Sequence, residues 1–193
     1  MDRLPALVAA VALVACDDGK PRAGEPPSRV DVAKTAARKA SSVEAFCDVY
    51  APADKAAEFV WPALAGAAPA PATSWRWINA WATWCKPCLE EMPRLVRWRD
   101  KLSAGRKLDL VFVSVDESEA DLAAYRAQHA DLPASLRIAD SAAQERWFAQ
   151  LGLAGSPPIP IHVFVDRSNR VRCVRAGGVR DQDFDVVERL LSQ

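Results

Sequence analysis

The pattern of apolar and polar positions predicts a domain of alternating strands and helices from residue 43 to residue 193. Short, continuous apolar runs bounded by turn-forming residues are typical of strands buried in a sheet. The predicted strands are Trp75–Ala80, Leu108–Val115, Ser135–Ala139, Ile161–Val165 and Val171–Val174. Apolar positions three or four residues apart are typical of helices that cover a sheet. The predicted helices are Lys86–Leu102, Glu117–His129, Ser141–Leu151 and Asp181–Leu191.

The order of these elements predicts the fold class. Alternation of strands and helices produces neighbouring parallel strands with helices packed against the sheet. The last two strands are separated only by residues 166–170, whose composition is typical of a hairpin turn, so they add antiparallel strands. The sequence therefore predicts an α/β sandwich in which a central mixed β-sheet is flanked by helices.

Two of the helices carry more detailed expectations. In the first, the stripe that faces the sheet is predicted to contain Leu89, Met92, Val96, Arg99 and Leu102, with Leu95 beside it. Pro87 lies in the first turn, where its missing N–H does no harm, whereas Pro93 should kink the helix without ending it. Ser141 and Gln144 have the spacing of a capping box, which predicts that the third helix begins at Ser141.

The first 15 residues indicate a secretory signal peptide. Arg3 precedes an apolar run, Leu4–Ala15, which is shorter than the roughly 20 residues that cross a bilayer as a helix. The next segment, residues 16–42, is charged and rich in Pro and Gly, which predicts a tether before a folded domain at residues 43–193. A buried N-terminal helix is the alternative, but the tether-like segment offers it nothing to pack against.

The junction Leu13–Cys16 resembles the lipobox of bacterial lipoproteins, in which the cysteine is lipidated and becomes the first mature residue. This resemblance implies that Cys16 is a lipidation site that anchors the protein in the cell envelope, facing the periplasm. Asp17, directly after it, implies the inner membrane rather than the outer one. A plain signal peptide and an uncleaved anchor remain the alternatives. Export also places the other cysteines where disulfides persist.

Composition and charge narrow the classes of function. Half of the residues are hydrophobic and 26% are charged, which is typical of a globular protein. The 25 basic residues balance the 25 acidic ones. The chain therefore lacks the positive surplus of nucleic-acid-binding domains, and we expect no nucleic-acid partner. Its five cysteines are too few for a small fold held by disulfides, but two of them lie three residues apart.

Cys85 and Cys88 lie where a predicted buried strand turns into a helix. Unpaired N–H groups and the helix dipole favour a thiolate at a helix N-terminus, and Lys86 adds positive charge. We therefore expect Cys85 to be exposed and to attack disulfides, and Cys88 to be buried and to resolve the mixed disulfide. A purely structural disulfide is one alternative. Half of a zinc site is another, but the remaining cysteines and histidines are isolated in the sequence.

The residues around this pair resemble a known family. Trp84–Cys88 (WCKPC) resembles the active-site motif of the thioredoxin superfamily, and the longer string Asn79–Pro93 is similar to membrane-anchored TlpA/ResA-like thiol–disulfide oxidoreductases. The similarity extends from about Phe59 to the C-terminus. It implies a thioredoxin-like three-layer sandwich that exchanges the Cys85–Cys88 dithiol or disulfide with cysteines of exported proteins, without a cofactor or a bound metal.

The resemblance also implies a direction and partners. We expect a reductase that receives electrons from a membrane donor and acts on substrates such as apocytochrome c or copper-site proteins. We expect the protein to be a monomer. The residues themselves do not fix the direction, because Lys86 would make the pair more oxidising by stabilising a thiolate.

Residues 155–166 (GSPPIPIHVFVD) resemble the strand entry of the same family. By this match Pro160 is a cis-proline that faces the disulfide, and Ile159 and Pro160 hold the substrate chain. From the residues alone, Pro157, Pro158 and Pro160 compete for this role, although only Pro160 adjoins the predicted strand. The side chains expected to complete the substrate-binding surface are Trp84, Lys86 and Pro87.

Two positions bear on proton transfer. Thioredoxins have a buried acid six residues before the first cysteine, but Asn79 stands there and cannot take a proton. Glu91 follows Cys88 by one helical turn, and TlpA/ResA-like proteins resemble this chain in having a carboxylate there. The resemblance implies a catalytic group that accepts or returns the Cys88 proton. The alternative is that Glu91 sits on a solvated helix face beside Glu90.

Three further residues are expected to have other roles. Cys47 and Cys173 both lie in the exported domain, and a second bridge in some TlpA-like proteins supports a structural disulfide between them. His162 shares a strand face with Pro160, where it could tune Cys85, bind a metal or be a core residue. The alternative function is a copper chaperone that holds Cu(I) with Cys85, Cys88 and His162. The scarcity of methionine, with two residues in the chain, argues against it.

Overall fold

The computed structural model describes residues 42–104 and 107–193. Within them, the helices are α1 (Val43–Phe46), α2 (Lys86–Ser103), α3 (Glu119–Gln128), α4 (Ser141–Gln150) and α5 (Phe184–Leu190). The strands are β1 (Val49–Tyr50), β2 (Trp75–Trp81), β3 (Leu108–Ser114), β4 (Ser135–Arg137), β5 (Ile161–Val165) and β6 (Val171–Ala176). The predicted signal peptide, Cys16 and the tether up to residue 41 lie outside the described residues.

The strands form one six-stranded sheet in the order β1-β6-β5-β2-β3-β4. Strands β2, β3 and β4 are parallel neighbours, whereas β5 runs antiparallel to both β2 and β6. This topology confirms the predicted α/β class with a mixed central sheet. The edge strand β1 is absent from the prediction because it is two residues long and has no periodicity to detect.

The central strand β2 leads directly to the cysteine pair. All seven of its residues are buried, among them Trp75, Trp77 and Trp81. It pairs with β3 on one side and with β5 on the other, so its position is fixed from both edges. The residues that follow Trp81 therefore start from a rigid support.

The buried face of α2 differs from the predicted stripe. Its buried residues are Cys88, Glu91, Met92, Leu95, Trp98 and Leu102. The predicted positions Leu89, Val96 and Arg99 are only partly buried. The prediction is wrong here because the buried face is centred about one position earlier than the predicted stripe, on Glu91, Leu95 and Trp98, where the charged Glu91 interrupts the apolar pattern. The ring of Trp98 lies 6.3 Å from that of Trp77 and 5.2 Å from that of Phe184, so α2 contacts both the sheet and α5.

The cap of one predicted helix and the start of another also differ from the structure. The N-cap of α4 is Asp140, whose side chain accepts a hydrogen bond from the Ala143 N–H at 2.7 Å, so the predicted capping role of Ser141 is wrong. Aspartate is a strong N-cap and stands directly before Ser141. The predicted C-terminal helix is divided into a 3₁₀ turn, Asp181–Asp183, and α5. Across residues 42–104 and 107–193, no helix has the length and apolar character needed to cross a membrane.

Candidate active site

Cys85 and Cys88 form a disulfide at the start of α2, with their Cα atoms 5.3 Å apart. Cys85 is the N-cap of this helix, and its Sγ accepts a hydrogen bond from the Cys88 N–H at 3.3 Å. Cys88 is fully buried, as expected, and Cys85 is only 4% exposed. The predicted exposure of Cys85 is therefore wrong for this oxidised state. The reason is that its side chain folds over the first turn of α2 and lies against the Ile159 carbonyl, 3.7 Å from Sγ.

A buried carboxylate holds the loop between β2 and α2. Asp116, two residues after the end of β3, accepts hydrogen bonds from the Thr83 N–H at 3.1 Å and from the Thr83 hydroxyl at 2.7 Å. The Ser114 hydroxyl donates to the same carboxylate at 2.7 Å. These contacts fix the backbone just before Cys85. Sequence reasoning missed Asp116 because its partner Thr83 lies 33 residues away in the chain.

The peptide bond between Ile159 and Pro160 is cis, and Pro160 is buried directly before β5. The carbonyl of Ile159 is the backbone group that lies 3.7 Å from the Sγ of Cys85. The Pro160 carbonyl accepts a hydrogen bond from the Gly177 N–H at 2.8 Å, which ties this loop to the segment after β6. Of the three prolines that compete in the sequence, Pro160 is therefore the one beside the disulfide.

The side chains around the cysteine pair are exposed. Trp84 is 70% exposed, the Lys86 side chain is 87% exposed, and Pro87 is exposed as well. The Nζ of Lys86 lies 3.7 Å from a carboxylate oxygen of Glu90 on the surface of α2. A groove with a volume of about 480 Å³ lies beside this surface, and Trp84 and Pro157 are among the residues that line it. The groove reaches Trp84, the residue before Cys85, but neither cysteine lines it.

Glu91 is buried on the face of α2 that also carries Cys88, one turn earlier. Its Oε1 accepts a hydrogen bond from the Asn79 side-chain amide at 2.9 Å, and its Oε2 accepts one from the Val179 N–H at 2.9 Å. Glu91 is 2% exposed, which excludes the alternative of a solvated helix face. Its catalytic role stays a prediction, but the structure places its carboxylate inside the protein.

His162 is fully buried in β5. Its Nδ1 accepts a hydrogen bond from Trp77 Nε1–H at 3.2 Å, and its Nε2 lies 3.3 Å from Glu91 Oε1. Both ring nitrogens therefore face protein groups other than the cysteines. Among residues 42–104 and 107–193, no three His, Cys, Asp or Glu side chains are grouped to hold a metal ion. The copper-chaperone alternative thus finds no ligand set in the described part of the chain.

Residues 76–171 match a family model described as thioredoxin-like. Residues 76–171 therefore form a thioredoxin-like domain. Among curated proteins, it is similar to the thioredoxin-like protein YneN of Bacillus subtilis (strain 168), with 38% identity over 52 residues. That match spans 25% of this chain and 29% of the relative's length.

This thioredoxin-like chain also resembles solved structures. A thiol:disulfide interchange protein of the thioredoxin family from Chlorobium tepidum TLS is 23% identical, with a TM-score of 0.49, over 62% of this chain and 80% of that one. A secreted thiol-disulfide isomerase from Corynebacterium glutamicum is 24% identical, with a TM-score of 0.48, over 63% and 72% respectively. The predicted superfamily is confirmed by the family match, which together with the Cys85–Cys88 disulfide supports thiol–disulfide oxidoreductase activity.

A second disulfide of the thioredoxin-like chain joins Cys47 to Cys173, with Cα atoms 5.5 Å apart and a sequence separation of 126. Cys47 lies between α1 and β1, and Cys173 is fully buried in β6. Tyr50 of β1 stands opposite Cys173 in the antiparallel pairing of the two strands. The bridge therefore ties the segment between α1 and the edge strand β1 to β6, the next strand of the sheet.

The segment that covers Glu91 is held by a residue that sequence reasoning missed. Arg94 donates a hydrogen bond to the Val179 carbonyl at 2.9 Å and another to the Asp181 carboxylate at 2.9 Å. Glu91 and Arg94 are three residues apart on α2, so both can reach the same segment. That spacing is the one sequence signal for this contact, since the partner groups at Val179 belong to the backbone.

Proposed function

We propose that this protein is a membrane-tethered thiol–disulfide oxidoreductase that reduces disulfides of exported proteins. The observation that carries the proposal is the disulfide at the start of α2, with Cys85 Sγ 3.7 Å from the Ile159 carbonyl. An extended substrate chain that pairs with the backbone at Ile159 brings its own cysteine next to Cys85. The exposed Trp84 and Lys86 side chains and the adjoining groove lie around that point.

The exchange proceeds in two steps with balanced electrons. In the reduced protein, the Cys85 thiolate attacks a substrate disulfide, a mixed disulfide forms, and one substrate thiolate leaves. Cys88 then gives its proton to Glu91, and the Cys88 thiolate attacks the Cys85 sulfur. The mixed disulfide breaks, the second substrate thiolate leaves, and the Cys85–Cys88 disulfide closes. Two electrons pass to the substrate, and a membrane donor must return them.

Substitution of each cysteine tests the assigned roles. We expect Cys85→Ser to abolish disulfide exchange, because the attacking thiolate is missing. Cys88→Ser should instead trap a mixed disulfide between Cys85 and a substrate protein, because the resolving thiol is missing. Trapped species are measured by non-reducing electrophoresis and mass spectrometry. Equal trapping by both variants would show that the two roles are assigned wrongly.

The reducing direction and the proposed substrates, apocytochrome c or copper-site proteins, rest on the resemblance to TlpA/ResA-like proteins. The reduction potential of the Cys85–Cys88 pair decides the direction. A value near that of thioredoxin, about −270 mV, supports a reductase. A value near about −120 mV, as in the oxidant DsbA, would contradict the proposal.

The membrane tether is proposed from the sequence of the N-terminus. We expect Cys16→Ser to release the protein from the inner-membrane fraction or to leave its N-terminus unprocessed. Fractionation of cells, with mass spectrometry of the N-terminus, measures both results. If Cys16→Ser leaves both the processing of the N-terminus and the membrane association unchanged, the proposal of a lipid anchor on the periplasmic side is wrong. The proposed exchange chemistry would not be affected by that result.

A further inference from the structure

A chain of buried polar contacts begins one turn along α2 from Cys88. Trp77 Nε1–H donates to His162 Nδ1 at 3.2 Å, and His162 Nε2 lies 3.3 Å from Glu91 Oε1. Asn79 donates to the same oxygen at 2.9 Å. Trp77, Asn79 and His162 are all 0% exposed. Burial of polar groups this deep in the protein costs folding free energy unless the groups have hydrogen-bond partners. The cluster therefore contributes less to stability than apolar packing would, which points to a functional role.

The contact with Trp77 fixes the tautomer of His162. An indole N–H can only donate, so Nδ1 must accept and carries no proton. In the neutral ring the proton is then on Nε2, the nitrogen that faces Glu91. At 3.3 Å this N–H is close to Oε1 but has no aligned hydrogen-bond partner in the oxidised state. A small rotation of the Glu91 carboxylate would complete the bond.

Every polar group that contacts the Glu91 carboxylate is therefore a donor. The donors are the Asn79 amide, the Val179 N–H and the His162 Nε2–H. Donors on three sides of one carboxylate are suited to holding it in a single orientation.

We propose that His162 is a positioning residue for Glu91 in the resolving half of the exchange. The inference rests on the proposed function and deepens it. After the mixed disulfide has formed on Cys85, Cys88 gives its proton to Glu91 and its sulfur displaces the substrate from Cys85. His162, which Trp77 holds in one tautomer, keeps the carboxylate oriented until that proton arrives.

The basic residue beside His162 is directed elsewhere. Arg175 of β6 stands opposite His162 in the strand pairing. Its Nη1–H donates to the Phe46 carbonyl at 2.8 Å, and its guanidinium lies 4.6 Å from the centre of the Phe46 ring. Arg175 is therefore engaged by α1, and its charge does not replace the His162 donor at Glu91.

The remaining elements around Glu91 supply no competing acid or base among the described residues. On β2 the neighbouring side chains are Trp77 and Asn79, which do not titrate at neutral pH. On α2, Arg94 is bound to the Val179 carbonyl and to Asp181, and the titratable neighbour one turn earlier is Cys88. A change in the pH dependence of the resolving step therefore comes either from Cys88 itself or from the pair of His162 and Glu91, and the Glu91→Gln background separates the two.

A matched pair of amide substitutions separates positioning from packing. In His162→Asn, the shorter amide reaches the place of Nδ1 and can accept from Trp77, but it cannot reach Glu91. In His162→Gln, the longer amide reaches the place of Nε2 and restores a donor to the carboxylate. His129→Gln, at the end of α3, is the control for loss of a histidine elsewhere.

The resolving step can be followed by itself with the reduced protein and an aromatic disulfide, 5,5′-dithiobis(2-nitrobenzoate). Attack by Cys85 releases one coloured thiolate. Attack by Cys88 on the resulting mixed disulfide releases the second coloured thiolate and closes the Cys85–Cys88 disulfide. The rate of each phase is measured from mildly acidic to neutral pH, and thermal unfolding shows which variants are folded.

We expect His162→Asn to move the acidic midpoint of the second phase to higher pH, because one of the donors that face the carboxylate is removed. The second phase should be about tenfold slower below the midpoint, while the first phase is unchanged. His162→Gln should restore the midpoint. In a Glu91→Gln background, His162→Asn should cause no further change, because both residues act through one group.

An unmoved midpoint in His162→Asn, or an additive effect in the Glu91→Gln background, would overturn the inference. If His162→Asn does not fold, His162→Ala takes its place, because it also removes the donor that faces Glu91. An unmoved midpoint in that variant would overturn the inference equally. Absence of the second phase in the wild-type protein would instead contradict the proposed exchange function.

Discussion

Replacement of Glu91 by glutamine tests the proposed proton path. The change keeps the size of the side chain but turns one carboxylate oxygen into an NH₂ group. In the structure both oxygens accept hydrogen bonds, one from Asn79 and one from the Val179 N–H, each at 2.9 Å. An amide offers a single acceptor, so one of these buried donors will face the new NH₂ group and lose its partner.

The size of the effect follows from these contacts. A hydrogen bond to a charged group contributes about 1.5–3 kcal/mol, and the amide oxygen retains one of the two bonds. We therefore expect Glu91→Gln to lower the free energy of unfolding by about 2 kcal/mol. Loss of the ionisable group removes general-base assistance, which is typically worth roughly 10²–10⁴-fold. We therefore expect exchange to slow by about 10–100-fold, toward the lower end of that range.

The assay is the rate of disulfide exchange between mildly acidic and neutral pH, together with chemical unfolding of the same samples. Exchange by Glu91→Gln should depend less on pH than exchange by the wild type, because the group that titrates has been removed. Glu90→Gln is the matched control, since the Glu90 side chain is 66% exposed and contacts Lys86 at 3.7 Å. Superimposable pH–rate profiles for Glu91→Gln and the wild type would refute the proton path.

Two further predictions concern the surroundings of the site. Replacing both Cys47 and Cys173 by alanine removes a cross-link over a sequence separation of 126 residues, to which the chain-entropy model assigns about 5 kcal/mol. We expect chemical denaturation to show a loss of up to that size, and an unchanged unfolding midpoint would contradict a structural role. In Gly178→Ala, the new Cβ would lie 3.1 Å from Glu91 Oε2, whereas at Gly66 it would meet nothing within 4 Å. Gly178→Ala should therefore slow exchange, though less than Glu91→Gln does, whereas Gly66→Ala should leave the rate unchanged. Equal exchange rates for Gly178→Ala and Gly66→Ala would show that the position of the Glu91 carboxylate does not matter.

The elements that the sequence predicts well are those with long or strongly patterned apolar runs. The strand at Trp75–Ala80 is one residue longer in the structure, and the hairpin strand that begins at Val171 extends to Ala176. The two-residue strand β1 escapes prediction because only its pairing with β6 defines it. Helix α4 begins where a side chain caps it, and adjacent Asp140 and Ser141 offer two candidates that the pattern alone does not separate.

Within the candidate site, the position of the cysteine pair follows from the junction of a buried strand and a helix. The burial of Cys85 does not, because the group that covers its sulfur is the carbonyl of Ile159, 74 residues further along the chain. The contacts of His162 are equally distant in sequence, with Trp77 85 residues earlier. Long-range contacts of this kind form only when the sheet is complete, and no local sequence pattern predicts them.

The polar residue Asn79 shows how sequence and structure complement each other at this site. From the sequence, an amide in place of the usual buried acid means that another group must carry the proton, and helical spacing points to Glu91. In the structure, Asn79 itself donates to Glu91 Oε1 at 2.9 Å, so the strand still contributes to the same carboxylate. The ionisable group, Glu91, is on α2 instead of β2, and Asn79 on β2 donates a hydrogen bond to it. A second carboxylate at position 79 would face Glu91 across that short distance, and two like charges so close cannot both remain ionised. The neutral Asn79 and the buried Glu91 are therefore a matched pair, and Asn79→Asp should perturb exchange only where Glu91 is present.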